Sequence, residues 1–136
     1  MPYQINELLK NKEYDIYNNP QISHEKIKII AEIISQDKSL DLEEYFDLLK
    51  CSSKFCWFNY LNILAELSEE DRIRGLPLLF ELLKDDNWPT YQQTVQLLNG
   101  MDKKTIEPYL KKYLALAYEE DDEMWVSNIN LLASPK

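Results

Sequence analysis

Leu61-Asn62-Ile63-Leu64, Val95-Gln96-Leu97-Leu98 and Ile129-Asn130-Leu131-Leu132 are three copies of one pattern (apolar, amide, apolar, apolar), and they stand 34 residues apart. Other positions keep the same step. Trp57, Tyr91 and Trp125 align, as do Leu42, Leu76 and Leu110, then Tyr45, Leu79 and Tyr113, then Phe46, Phe80 and Leu114, then Leu48, Leu82 and Leu116. Two segments register together in each unit, so the period belongs to a two-element unit rather than to a single helix. One step further back, Ile27, Ile29, Ile30 and Ala31 fall over Leu61, Ile63, Leu64 and Ala65, whereas Ile5 to Tyr17 aligns poorly. The repeat reads as one domain over 1–136, with a degenerate first hairpin over 1–35 and units over about 36–68, 69–102 and 103–136.

Both segments of a unit carry a helical pattern. Leu76, Leu79, Phe80, Leu82 and Leu83 follow the three-four spacing of a buried helical stripe, and Leu110, Tyr113, Leu114 and Ala117 repeat it one unit later. Ser68 with Asp71, Asp41 with Glu44, and Asp102 before Lys103 read as helix starts, since their side-chain oxygens can accept from free N–H groups of a first turn. Pro89 suits a first helical turn and forces Asn87-Trp88 into a turn before it. The pattern predicts helices over 4–17 (broken), 23–35, 41–50, 55–66, 69–84, 89–99, 102–118 and 123–133. Stacked hairpins at fixed period make an all-α, short α-solenoid. A tetratricopeptide array has the same period but requires small residues where its helices cross; Leu, Tyr and Phe occupy those positions here, so a HEAT-like arrangement is the expectation, with Leu97 and Leu131 in its core.

Composition narrows the function. The chain has 136 residues and a net charge of −9, with seven basic and eleven acidic groups in residues 1–68 and eight and thirteen in 69–136. That balance opposes binding to nucleic-acid phosphates or anionic membranes. No apolar run approaches the roughly 20 residues that span a bilayer, and the first residues lack the basic-then-apolar order of a secretory signal, so the expected location is cytoplasmic. Gly75 and Gly100 are the only glycines, which excludes a Gly-rich phosphate loop and a dinucleotide fingerprint.

Catalysis finds no constellation. Cys51 and Cys56 have no further cysteine and only a distant His24 to complete a metal site, and they read as core thiols. His24 sits at a helix start and reads as solvated or capping. No Ser or Cys lies in a nucleophile motif, and the carboxylates of Asp85-Asp86 and Glu119 to Glu123 lack the ligand spacing of a calcium loop. The expectation is a non-enzymatic protein with no cofactor and no metal.

Absent charge is more informative. Phe55 to Ala65, Asn87 to Gly100 and Met124 to Ser134 contain no Asp, Glu, Lys or Arg, so the second helix of each unit differs chemically from the first. Asn59, Gln93 and Ser127 form one column at the repeat step, and Asn62, Gln96 and Asn130 another. Such amides either bond to one another inside the stack or form an uncharged polar strip for a partner. The turns at 51–54, 85–88 and 119–122 fall along one edge of stacked hairpins, about 10 Å apart. Asp85, Asp86, Glu119, Glu120, Asp121, Asp122 and Glu123 load two of these turns, as solvated turns or as a steering surface for a basic protein.

Leu76 to Pro89, with its leucine-rich helix and Asp85-Asp86-Asn87-Trp88-Pro89 turn, followed by Asp121-Asp122-Glu123-Met124-Trp125, resembles a small bacterial family of helical domains that carries a D-x-N-W-P turn and a later D-D-x-x-W segment. The resemblance covers residues 70 to 133. It implies a HEAT-like fold without an assigned activity, and some relatives look like immunity proteins encoded beside secreted toxins. The expectation that follows is an immunity protein binding a basic toxin domain, a nuclease being one candidate, the alternative being a scaffold that takes a peptide or helix along its amide-lined face. Trp88 and Trp125 are expected to pack each turn on the preceding helix.

Overall fold

A computed structural model describes residues 5–133, and every regular element among them is helical. The α-helices are α1 (Ile5–Leu9), α2 (His24–Gln36), α3 (Leu42–Tyr45), α4 (Trp57–Glu66), α5 (Glu69–Arg72), α6 (Leu76–Glu81), α7 (Tyr91–Asn99), α8 (Lys103–Glu119) and α9 (Glu123–Ala133). Short 3-10 turns occupy Lys12–Tyr14, Leu48–Lys50, Lys54–Cys56 and Ile73–Gly75. Ser23, Asp41, Ser68 and Asp102 cap their helices by accepting from Lys26, Glu43, Asp71 and Lys104 N–H. Among the described residues no helix is long and apolar enough to cross a membrane.

Two expected helices are broken. The 41–50 segment stops at Tyr45 because Asp47 turns back to accept from its own neighbour Leu49 N–H, at 2.8 Å, which starts a separate 3-10 turn. The 69–84 segment divides into α5, a 3-10 turn and α6. Pro77 lacks the N–H that a continuous helix would donate to Ile73, and Gly75 sits at the break. A Cβ on Gly75 would lie 2.5 Å from Leu64 Cδ2, so the turn comes this close to α4 only because position 75 carries no side chain.

Contacts divide the chain into two compact units, Met1–Gly75 and Leu76–Lys136. In the first, α2 turns Ile27, Ile30, Ala31 and Ile34 inward and packs on α4, whose Tyr60, Leu61, Ile63 and Leu64 have no exposed surface. Asn59, expected at a partner surface, is 1% exposed; its amide donates to Ile16 and Asn19 carbonyls at 2.9 and 2.8 Å and ties the N-terminal turns to α4. It is a structural amide, because the three-four stripe of α4 also takes position 59 inward. Cys56 is buried but Cys51 is only half-buried, so the expectation of two core thiols holds for one of them.

Two arginines close the helix ends of this unit. Arg72 Nε donates to Leu64 O at 2.8 Å, and its Nη2 to Ala65 O and Leu67 O, covering the last carbonyls of α4. Arg74 does the same for α2, donating to Ile34 O, Asp37 O and Leu40 O at 2.9, 2.9 and 3.2 Å. A guanidinium offers five donors in a rigid fork, and a cation is favoured at the negative end of a helix dipole. Arg74 is itself held by buried Asp71 at 3.2 Å, which also accepts from Lys38 at 2.7 Å.

In the second unit α8 and α9 form a hairpin and α7 packs on α9. Phe80 and Tyr113 stack with centroids 5.0 Å apart, and Tyr113 meets Trp125 at 6.1 Å. Trp125 is 1% exposed and donates its indole N–H to Phe80 O at 2.8 Å; one turn later Asn128 donates to Leu83 O at 2.7 Å. These donors close the end of α6. Trp125 thus packs on the preceding helix as expected, whereas Asn128 has no counterpart in the amide columns read from sequence. Leu131 corrects the expected core: it is 67% exposed, and Leu97 is half-buried. In α9 the inward positions are Trp125, Asn128 and Ile129, and Leu131 lies two residues on from Ile129, about 200° around the helix.

Burial alone would raise the Asp71 carboxyl, but the bonds from Lys38 and Arg74 outweigh it and hold the group below its ordinary value. A folded-state value below the unfolded one stabilises above about pH 4 and is lost as pH falls through the folded value. Asp71→Asn is therefore expected to cost about 2 kcal/mol at pH 7 by urea denaturation, the deficit shrinking steadily below about pH 4. An equal deficit at pH 7 and at the acid end would contradict this.

Candidate functional site

The turn between α8 and α9 builds the site. Asp121 has φ 55°, the left-handed conformation, and around it Asp121 N–H donates to Tyr118 O at 3.1 Å and Asp122 N–H to Ala117 O at 3.0 Å. These two bonds close the carbonyl end of α8 with the chain's own backbone. Asp122 then serves the next helix, its Oδ1 accepting from Trp125 N–H at 3.1 Å. One residue ends α8 and begins α9, which leaves no slack between them.

Beside this turn lies a groove of about 720 Å³ lined by Ala117, Tyr118, Asp121, Asp122, Glu123, Val126, Ser127, Asn130 and Leu131. Its floor is apolar and open to solvent, with Tyr118 61% and Leu131 67% exposed. Met124, 42% exposed, lies one turn from Ser127 and two from Leu131 on the same face of α9. The acidic border comes from Glu119 to Glu123. Among the described residues none of these five carboxylates has an ion-pair partner, and no cation lines the groove.

The residues expected to bind a partner are distributed as follows. Asp121, Asp122, Glu123 and Asn130 come together on the groove, with Glu119 and Glu120 next to it in the chain. Asp85 and Asp86 lie in the turn after α6, where Asp85 Oδ1 accepts from Asn87 N–H at 2.8 Å and fixes the turn. The neighbouring Lys84 stands 4.5 Å over the Trp125 ring, which puts the end of α6 against the first turn of α9. Of the amides, Asn62, Gln96 and Asn130 are exposed and Gln93 is half-buried, with Asn62 in the first unit and the others in the second. Tyr118 and Leu131 as surface residues are not legible in the sequence, because a repeat of apolar positions does not say which way each position faces.

Other candidates have a structural account. His24 Nε2 lies 3.1 Å from Glu66 Oε2 with its side chain 71% exposed, a surface pairing between α2 and α4. The Cys51 thiol donates to Tyr60 Oη at 3.1 Å, and Tyr60 donates to Asp47 O at 2.8 Å. Burial pushes the Cys51 thiol up to about 11, against the opposing effect of the Tyr60 bond, so its nucleophilic thiolate is scarce at neutral pH. Among the described residues no three His, Cys, Asp or Glu side chains converge into a metal-holding group. A smaller cleft of about 280 Å³ is lined by Leu98, Met101, Ile106, Leu114, Ile129 and Leu132 among others. Comparison of the chain with protein-family models, with curated proteins and with solved structures finds no match.

The turn geometry makes a direct prediction. A left-handed position disfavours a Cβ-bearing residue without a local polar side chain, and glycine adopts it freely. Asp121→Gly is expected to leave the protein more stable than Asp121→Ala by about 1 kcal/mol in thermal or urea unfolding. Equal stabilities, or a more stable alanine variant, would mean that the α8–α9 turn is closed differently.

Proposed function

We propose that the protein is a non-enzymatic protein-binding module that neutralises a basic toxin domain in the bacterial cytoplasm, the immunity role that the family resemblance implies. The observation that carries this reading is the α8–α9 groove, where an exposed apolar floor adjoins five consecutive carboxylates. Apolar floor and unpaired charge do different work in association. Fixed charge of one sign accelerates encounter with an oppositely charged protein, and desolvated apolar contact holds the complex once formed. A net charge of −9 extends the attraction beyond the groove itself. A toxin that cleaves nucleic acid carries a positive cleft for its polyanionic substrate, and an acidic inhibitor is attracted by that same field. In this reading the hairpins stack as a HEAT-like array with a 34-residue step, and the protein needs no cofactor or metal. A scaffold reading, in which a peptide or helix lies along the amides, is favoured within the second unit by the exposure of Gln96 and Asn130.

The test is affinity purification of the tagged chain from its native host, followed by expression of the captured protein alone and together with the chain. A basic protein that arrests growth alone and is harmless when co-expressed is the expected result. Replacing Asp85, Asp86, Asp121 and Asp122 by Asn, which keeps the turn and capping oxygens, should slow association about tenfold at low salt and flatten its salt dependence, with a smaller effect on dissociation. An acidic partner, or growth arrest untouched by co-expression, would contradict the proposal.

A further inference from the structure

The apolar floor of the α8–α9 groove has no covering element among the described residues, and large exposed apolar side chains grouped on one face mark an interaction surface. What covers it is decided by charge. The groove is bordered by Asp121, Asp122 and Glu123, with Glu119 and Glu120 ending α8. Asp122 and Glu123 suit the start of α9, but Glu119 and Glu120 sit where a helix least favours them. α8 has no acidic residue in its first turn and no basic residue in its last; instead Lys103 and Lys104 begin it and Glu119 ends it. The dipole of a helix is positive at its start and negative at its end; the Asp102 carboxylate caps the start of α8, whereas its end carries charge of the sign the dipole repels. α2 and α4 also end beside an acid, Asp37 and Glu66, but there Arg74 and Arg72 cover the final carbonyls, and among the described residues no such cation covers the end of α8. A cation arriving at the end of α8 would relieve five carboxylates and a dipole end together.

We infer that the groove is a receptor for an amphipathic segment of a partner protein that presents a lysine or arginine beside apolar side chains, the cation seating at the carboxylate end of α8 and the apolar side chains on Tyr118, Val126 and Leu131. Tyr118 serves both parts, since its ring is an apolar surface and an attractive face for a cation. The inference rests on the reading of the protein as a partner-binding module, and names the chemistry recognised at its site. Aliphatic stems of lysine and arginine lie well along apolar surface while their heads reach charge, which matches a floor and border arranged side by side.

The experiment uses a fluorescently labelled helix-forming peptide of leucine and lysine as probe, the corresponding leucine–glutamate peptide as its counterpart, and the full chain. Binding is measured by anisotropy at low and at physiological salt. The expected result is saturable binding of the lysine peptide and none of the glutamate peptide. Glu119→Gln/Glu120→Gln/Glu123→Gln should weaken it about tenfold, and Leu131→Ser about fivefold. Glu43→Gln/Glu44→Gln/Glu70→Gln, an equal change of net charge at exposed positions of the first unit, should leave it within about twofold. Glu119→Gln/Glu120→Gln alone should also melt about 2–4 °C higher than the parent, because it removes charge that opposes the α8 dipole; a site kept for binding trades stability in this direction. Equal weakening by the control variant would reduce the attraction to diffuse net charge and overturn the inference. So would lysine-peptide binding indifferent to Leu131→Ser, or a concentration-dependent dimer in sedimentation that Leu131→Ser abolishes, since a second copy would then be the occupant. Failure here with a basic toxin still captured and neutralised would place that partner on another surface; a working groove without such a partner would leave the site and overturn the immunity reading alone.

Discussion

Carbonyl groups at the ends of helices have no partner within their own helix, and a chain with only two glycines has few left-handed turns with which to satisfy them. The first unit answers this constraint with side chains. Its Asp71-Arg72-Ile73-Arg74 segment contains both arginines of the chain, and the two guanidinium groups reach the final carbonyls of α4 and of α2 respectively. Everything in that unit that ends near these positions depends on the segment being held still. Asp71 fixes Arg74, and Gly75 lets the following turn approach Leu64. The second unit uses the same device with neutral donors, Trp125 and Asn128 closing the end of α6.

The end of α8 is closed without side chains, and the proposed function rests on the surface this leaves beside it. Here the backbone closes its own carbonyls around Asp121, so no side chain from another element needs to cover the end. The surface beside it stays open, with Tyr118 and Leu131 exposed and Glu119 to Glu123 without an ion pair among the described residues. That open, charged surface is the reason for proposing this groove, among the clefts of the second unit, as the place for a partner.

The helices were largely legible in the sequence and the site only partly. Three-four spacing and capping oxygens placed α2, α4, α7, α8 and α9 to within about two residues, because those signals are local. The breaks at Asp47 and Pro77 were misread: apolar spacing continued across them while hydrogen bonding did not. Asn59 was assigned to a surface because repeat columns identify equivalent positions without saying which way each faces. Leu131 failed for the opposite reason, since the pattern that buries Ile63 leaves its equivalent in α9 exposed. The acidic residues at Glu119 to Glu123 could be read as a cluster, but not their meeting with an apolar floor, which requires α8 and α9 to be folded against each other. The roles of Arg72 and Arg74 left no periodic signal at all; their rarity in a lysine-rich chain was the available clue.

The most direct test of this account exchanges the geometry of those donors while keeping their charge. Arg72→Lys and Arg74→Lys each retain a cation near a helix end but remove the fork that serves three carbonyls at once. In urea denaturation at neutral pH each exchange is predicted to cost about 1.5–3 kcal/mol. A loss below about 0.5 kcal/mol for both would show that charge near the helix end suffices, and that the closing of those carbonyls is not what the first unit depends on.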